Sequence, residues 1–489
     1  MTSVEGARVE GHVEGRRRGA TRLAGPVGVR ANGRLARRLL VDPIPVLDEC
    51  AAAYGPTFAL RLGPARLVVV GDPDDLSTVF AQPSVSYRWG HLANVLGFIV
   101  GPTSMIVSDG EDHRRRRAAS QPGLARRRLD RWIPMIVGQV DRAIDQHLAP
   151  ALDAGRVVDV HPLGTDLVLA VTVRAFFGNG LEHRTAEIGA LFDELQSYLE
   201  RPGLQQLPHR LPFTARARAR AARAAFNGIV DREVARRRAA VGAGPDGDDL
   251  LDVFVDEAAS GLTAEEVHDQ VTTLIGAGYN TTAATLAWAV HRSLATPGVW
   301  DRLRAEAHEV LGPVGDGPTL GAEAHRDLSY AAAVAQETLR LHPPGALSPR
   351  QAVIDVPVGD RVIPRRAMVA WSPHLAGRHP GAWDEPLAFR PERHLDPTPE
   401  QAARMEAAWV PFGRGPRRCI GFALAQMELA LVLARLAQRV DMELVDPAPP
   451  RPHGMVVNRP AGGVRVRRPL ALTGDVIPSI DGLRRRTPG

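Results

Sequence analysis

Cys419 is the residue with the widest chemical reach in this chain, and it lies in the stretch Trp409 to Gly421, WVPFGRGPRRCIG. A lone cysteine ordinarily packs as a small buried hydrophobe. Here it stands just before a long apolar run that reads as a helix, whose N-terminal dipole stabilises a thiolate. Arg417 and Arg418 add positive charge beside it. Gly413, Gly415 and Gly421 let the backbone approach something flat and bulky on the sulfur side, with N–H groups free to bond the sulfur. A thiolate held this way serves either as an axial metal ligand or as a nucleophile, and the second role requires a histidine base. The chain has two cysteines, Cys50 and Cys419. That excludes a disulfide framework, a CxxC zinc module and a four-thiolate iron–sulfur cluster, and it points to a reducing compartment. Cys50 reads as idle.

A second constellation is Glu337 and Arg340, three residues apart and so on one helix face. As a solvated pair they contribute well under about 1 kcal/mol. The Pro343-Pro344 that follows argues for a sharp, packed helix exit. The pairs Gly276/Gly278 and Gly413/Gly415 lack the third glycine and the βαβ setting of a dinucleotide loop, so no nicotinamide site is expected on this chain.

The elements that must position these groups are mostly helical. The pattern predicts a helix over Asp42–Tyr54 and a hairpin over Phe58–Val70 turning at Gly63-Pro64. A short helix over Pro73–Phe80 follows, capped by Asp72. Gly90 to Val107 reads as a long apolar loop of the kind that covers a site. Helix dominates from Glu111 to Arg238, up to a polar break at Gly242–Asp249. Thr263 and Glu266 form a capping box opening a helix that runs to Pro297, roughly 50 Å long at 1.5 Å per residue. Short β-like runs occupy Val353–Val369, a helix Phe422–Val440, and further β-like pieces Met455–Val457 and Val464–Arg467. At 489 residues the length alone allows about three average domains. The pattern instead predicts a mainly α fold with a small β portion (α+β): a flexible Arg-rich leader over 1–40, one large domain over 41–470 and a polar tail over 471–489.

The cysteine stretch resembles the FxxGxRxCxG haem-binding signature of the cytochrome P450 monooxygenases, carried here by Phe412, Gly415, Arg417, Cys419 and Gly421. Further matches appear in order. Glu337-Thr-Leu-Arg340 is similar to the ExxR helix. The run Phe389 to Arg393 is similar to the FxPxRF segment, with His394 where Phe is usual. The run His113 to Arg117 is similar to the HxxxR element that holds haem propionates. Ala277 to Thr282 resembles the oxygen-activation motif of the long central helix. The resemblance covers roughly Asp42 to Arg467.

It implies haem b held by an axial Cys419 thiolate, with His113, Arg117, Arg350 and Arg417 at the propionates. It also implies a buried Glu337–Arg340–Arg393 network bracing the cysteine loop, and Thr281 as the hydroxyl serving dioxygen activation. The usual acid before that threonine is Asn280 here, and an amide orients water but relays no proton by ionising. This departure keeps a peroxide-using or non-oxygenating haem-thiolate enzyme in play beside the monooxygenase, and a haem-based sensor as the non-enzymatic reading. The expected substrate wall is apolar: Leu92, Val95, Leu96, Phe98 and Ile99, then Ala277, Ala346 and Leu347, closed by Val456 and Val457. Such a lining suits a lipophilic substrate.

Net charge is +5, and the excess sits in the leader. Arg114, Arg115, Arg116, Arg126, Arg127 and Arg128 are expected to form an exposed basic face. On the resemblance, this face docks a separate ferredoxin or flavodoxin fed by an NAD(P)H reductase. The bases lack interleaved aromatics, so no nucleic-acid partner is expected. No stretch of about 18 uninterrupted apolar residues occurs, so a cytoplasmic monomer without a membrane span is expected.

Overall fold

The computed structural model describes residues 22–469 apart from 64, 90–93, 202, 207, 240–248, 256–259 and 313–321. Helix α1 (Val29–Leu39) opens the described chain, and α2 (Pro43–Tyr54) follows with Pro43 at its first position. Strands β1 (Thr57–Leu62) and β2 (Ala65–Val70) form the expected antiparallel hairpin, with Leu62 opposite Ala65. In α3 (Pro73–Ala81) the Asp72 carboxylate accepts from the Asp74 and Asp75 amides, satisfying two of the free donors at the helix start. Strand β3 (Tyr87–Arg88) and helix α4 (Asn94–Val100) precede the helical body.

Half of the expected leader is thus part of the fold. Leu35 and Leu39 of α1 are buried in one cluster with Leu47 and Phe58. Asn32 serves as a polar bridge: its side-chain amide donates to the Pro26 and Gly28 carbonyls, each at 2.8 Å, and its oxygen accepts from the Arg61 amide at 2.8 Å. A face of two leucines four residues apart is too narrow to stand out among arginines, yet it is enough to dock one short helix. Residues 1–21 and the tail from 470 lie outside the described residues.

The body comprises α5 (Gly110–Ser120), α6 (Arg126–Ala143), α7 (Val160–Phe177), α8 (Thr185–Leu199), α9 (Ala215–Ala239), α10 (Ala264–Ala295), α11 (Val299–Leu311) and α12 (Ser329–Leu341). The 32-residue α10 is the central axis, and its capping box forms as expected, with Thr263 and Glu266 each bonding the other's backbone amide. Residues 282–291 of α10 are buried on every side, so the helix is core all round rather than amphipathic. Helix α7 packs along it: a Cβ at Gly164 would stand 3.2 Å from a Leu286 methyl. Among the described residues α7 is the one helix long and apolar enough to cross a membrane, and more than half of it is buried inside the fold.

The chain then returns to the first sheet through β4 (Ser348–Ala352), a β5/β6 hairpin (Val356–Val358, Arg361–Ile363) and β7 (Met368–Trp371). Sheet order is β1-β2-β7-β4-β3, with β2 and β7 parallel and Leu67 beside Met368. The last long helix, α13 (Phe422–Arg439), follows the cysteine loop directly.

Three local expectations change. Asn94–Val100, read as part of a loop, is a helix. Met455–Val457 is a bend, flanked by paired two-residue strands at Pro452–His453 and Arg459–Pro460. The polar break at 242–249 falls mainly outside the described residues, but Asp249 is buried and its carboxylate accepts from Arg237 at 2.6 Å and 2.7 Å.

Candidate functional site

The loop before α13 is closed by the Cys419 amide, which donates to the Phe412 carbonyl at 2.8 Å. Gly413 and Gly415 both take φ +65°, the left-handed region that glycine enters at no steric cost. Phe412 is wedged edge-on between Trp409 and Phe422, with centroids at 5.8 Å and 6.4 Å. Cys419 is solvent-accessible although it lies deep in the protein, as a thiol facing an internal cradle must be. Burial pushes its pKa up, while the Gly421 amide, Arg117 and Arg418 pull the other way. Cys50, by contrast, is packed against α1 and the sheet, and burial raises its thiol to about 11.

His113 and Arg117 on α5, Arg350 on β4 and Arg417 in the cysteine loop converge electrostatically. Burial, then Arg417, Arg117 and Arg350, push the buried His113 down to about 4, so its ring is neutral. Burial and the neighbouring Arg417 push Arg350 down to about 9. Its guanidinium lies 4.8 Å from the Trp89 ring and 5.3 Å from that of Trp371, and its Nε is buried without a hydrogen-bond partner among the described residues. Arg417 is fixed by the Met105 and Ile106 carbonyls at 3.3 Å and 3.4 Å and by Asp109 at 2.5 Å. Like cations crowded around one carboxylate are costly unless further anions share the site.

Behind the loop, Glu337 is completely buried and its carboxylate is saturated. Arg340 donates to both oxygens, each at 2.8 Å; Arg393 Nε reaches one oxygen at 3.0 Å, and the Arg390 amide reaches it at 2.8 Å. The other oxygen pairs with His394 Nε2 at 3.0 Å. The histidine that departs from the family pattern is thus a further member of the cluster, which the sequence reading did not foresee. Arg340 also donates to the Gly377, Pro386 and Ala388 carbonyls at 2.5, 2.7 and 2.9 Å, pinning the chain that leads back to the cysteine loop. The Trp409 indole, just before that loop, bonds the Gln336 carbonyl at 3.2 Å.

On α10, Ala277 is exposed although the helix around it is mostly buried, and Asn280 and Thr281 are half-buried. The Thr281 hydroxyl donates back to the Ala277 carbonyl at 2.8 Å, which leaves its lone pairs as acceptors. Of the expected wall, Leu92 lies outside the described residues. Val95, Leu96, Phe98, Leu347 and Val456 are half-buried. Ile99, Ala346 and Val457 are buried, and Ile99 and Ala346 pack within core clusters.

The expected basic face is smaller than six arginines. Arg115 and Arg116 both bind Glu266, the capping-box acid of α10, with Arg116 Nε at 2.9 Å. Arg128 donates to the Asp249 carbonyl. Arg114, Arg126 and Arg127 remain exposed. Sequence reasoning also missed Asp269, whose buried carboxylate accepts from Thr103 Oγ1 at 2.6 Å, the Thr103 amide at 2.9 Å and Arg223 at 2.5 Å. With Gln270, which accepts from the Met105 amide at 2.8 Å, it clamps to the central helix the segment that carries Arg417's acceptors.

The donor set fits haem. A soft thiol stands at a glycine-lined cradle, and surplus buried cations, one with an orphaned donor, suit two propionates. A fold of this architecture with a thiol loop ahead of its last long helix defines a haem-thiolate protein. A sequence profile for cytochrome P450 matches residues 39–465. A Mycobacterium tuberculosis protein named cytochrome P450 139 is 32% identical over 404 residues, covering 82% of this chain and 88% of its own. The cyclooctat-9-en-7-ol 5-monooxygenase of Streptomyces melanosporofaciens is 31% identical over 397 residues, covering 79% and 82%. The solved structure of retinoic acid-bound cyanobacterial CYP120A1 superposes with a TM-score of 0.76 at 23% identity, covering 86% and 93%. The chain belongs to the cytochrome P450 family: it is a haem-thiolate monooxygenase.

Proposed function

We propose that the chain inserts one oxygen atom from O2 into a lipophilic small molecule, with Cys419 as the thiolate that would hold the haem and electrons from a separate ferredoxin or flavodoxin and its NAD(P)H reductase. The observation that carries the site assignment is the convergence of His113, Arg117, Arg350 and Arg417 beside the Cys419 loop. Haem with a thiolate ligand supplies the electron density that favours O–O cleavage. The chain's own residues do the rest. Arg350, Arg417, Arg117 and neutral His113 would hold the propionates. Phe412, Gly415 and Gly421 shape the loop, and the Gly421 amide bonds the sulfur. Glu337, Arg340, Arg393 and His394 brace that loop from behind.

On α10 the Thr281 hydroxyl, its own proton held by the Ala277 carbonyl, would accept a hydrogen bond at Oγ1 and so fix where a proton-carrying water sits. Asn280 orients that water without ionising. The wall formed by Val95, Leu96, Phe98, Ala277, Leu347 and Val456 favours an apolar substrate, and the relative acting on cyclooctat-9-en-7-ol is consistent with one. A peroxide-driven variant of the reaction is favoured by one observation, the amide at position 280. The haem domain is proposed to include α1 and to span about 22–469, to act as a monomer in the cytoplasm and to dock its donor near Arg126 and Arg127.

Two measurements test this. The carbon monoxide difference spectrum of the reduced protein is expected to show the cysteinate Soret band, and Cys419→Ala to abolish it; a band unchanged in that variant overturns the ligand assignment. Coupling of donor electrons to product is expected to rise in Asn280→Asp. Equal coupling in the two proteins would mean that position 280 does not limit proton delivery.

A further inference from the structure

Beside α4 opens a cavity of about 540 Å³ lined by Phe98, Pro208, His209, Arg210, Arg216 and Arg220. Four of the six are bases and none is an acid. Elsewhere on α9 several arginines are paired: Arg218 with Glu194 at 2.9 Å, Arg223 with Asp269 at 2.5 Å and Arg237 with Glu233 at 2.8 Å. Arg210, Arg216 and Arg220 have no carboxylate partner among the described residues.

The donors are also held in place. The Arg216 guanidinium stacks 3.8 Å from the centroid of the Phe98 ring, and its Nη1 donates to the hydroxyl of the buried Tyr198 at 2.7 Å. The same Nη1 also reaches the Gln206 carbonyl at 3.4 Å, and a planar guanidinium fixed by stacking and two hydrogen bonds keeps its remaining N–H groups aimed, at little further entropy cost. Among the described residues Arg220 makes only a long contact, 3.4 Å, to the His209 carbonyl. The His209 Nδ1 is buried without a partner among the described residues. Phe98, beneath Arg216, forms the floor, and it is also a residue of the proposed substrate wall. Leu211 and Phe213 stand exposed in the turn before α9. Fixed, unneutralised donors above an aromatic floor suit an oxyanion attached to an apolar chain.

We propose that this cavity is an anion subsite at the mouth of the substrate pocket, and that the substrate is an amphiphile: apolar for most of its length, with one terminal carboxylate or phosphate monoester. The proposal rests on the monooxygenase reading, because only there does Phe98 border the substrate.

Calorimetric titration of the haem-loaded enzyme with sodium dodecanoate, dodecyl phosphate and methyl dodecanoate tests it. One of the two anions should bind at least about tenfold more tightly than the ester, the gain of a charge-assisted hydrogen bond, and the anion that gains more identifies the head group. Arg216→Gln should remove about tenfold of that preference and leave the ester within twofold. Arg210→Gln/Arg220→Gln changes only exposed side chains, so its fold is not at issue, and it should weaken the anion about threefold to tenfold, more at low salt. Ester and anions binding equally in the wild type, or anion affinity unchanged in both variants, overturns the subsite. A reduced protein lacking the cysteinate Soret band overturns instead the reading beneath it, so the two failures are told apart.

Discussion

Replacing Glu337 by Gln keeps the side-chain shape and removes one charge. Its carboxylate, with no exposed surface, accepts five hydrogen bonds from Arg340, Arg393, His394 and the Arg390 amide. The amide retains one oxygen and turns an NH2 group toward donors that have nothing to give it. The Arg340 side chain, equally buried, then carries a charge with only carbonyl dipoles around it. Breaking a buried pair in this way costs about 3–5 kcal/mol, against a total stability of about 5–15 kcal/mol. In a chain of this size that corresponds to a fall in Tm on the order of 10 °C. The assay is thermal unfolding of the purified protein, together with the ratio of Soret to protein absorbance after expression, which should drop because the cysteine loop loses its brace. Glu49→Gln is the control: its pair with Arg38 is about half exposed on both sides, and its loss should move Tm by no more than a few degrees. A Glu337→Gln protein that melts like wild type with full haem content would refute the network argument. The acid limb checks the same charge. Arg340 and His394 outweigh burial and hold the Glu337 carboxyl at about 2, so its contribution is whole above the ordinary glutamate range and is lost as pH falls from about 4.5 toward 2.

Three further outcomes are expected. His394 has a pKa lowered by burial, so it charges more readily when unfolded; stability therefore falls as pH drops below the ordinary histidine range, and His394→Phe should flatten that part of the pH–stability curve while lowering stability at pH 7 through the lost bond to Glu337, an unchanged slope counting against this. At Gly101, φ is +98° and a Cβ would stand 1.9 Å from the Asp269 carboxyl carbon. Gly101→Ala should cost about 2–5 kcal/mol in chemical denaturation, and a loss under about 1 kcal/mol would show that the segment yields. Cys50→Ala should cost about 1 kcal/mol through a small cavity and leave the carbon monoxide spectrum intact, whereas loss of the Soret band would make Cys50 more than packing.

Features written in contiguous residues were legible before folding. The capping box at Thr263 and Glu266, the Asp72 cap and the hairpin at Gly63 are all decided by neighbours within a few residues. The cysteine loop is legible for the same reason, since the helix start, the arginines and the glycines lie within about ten positions of the thiol. Helix α1 was not legible, because its burial depends on Phe58 and Arg61 accepting it and not on its own arginine-rich composition. The surface role expected for Arg115 and Arg116 failed because their partner, Glu266, is about 150 positions away.

The sequence by itself determined the chemistry: one thiol in a glycine-rich, cationic loop ahead of a helix, a glutamate and an arginine on one helix face, and an amide where an acid is usual. Tertiary structure alone decided which charges are spent. It gave Glu337 to His394 as well as to the arginines, gave Asp269 to Thr103 and Arg223, and left Arg210, Arg216 and Arg220 unneutralised around one cavity. Pairing of charges far apart in the chain depends on which helix faces meet. No local pattern encodes that, because it follows from how the whole core packs around α10.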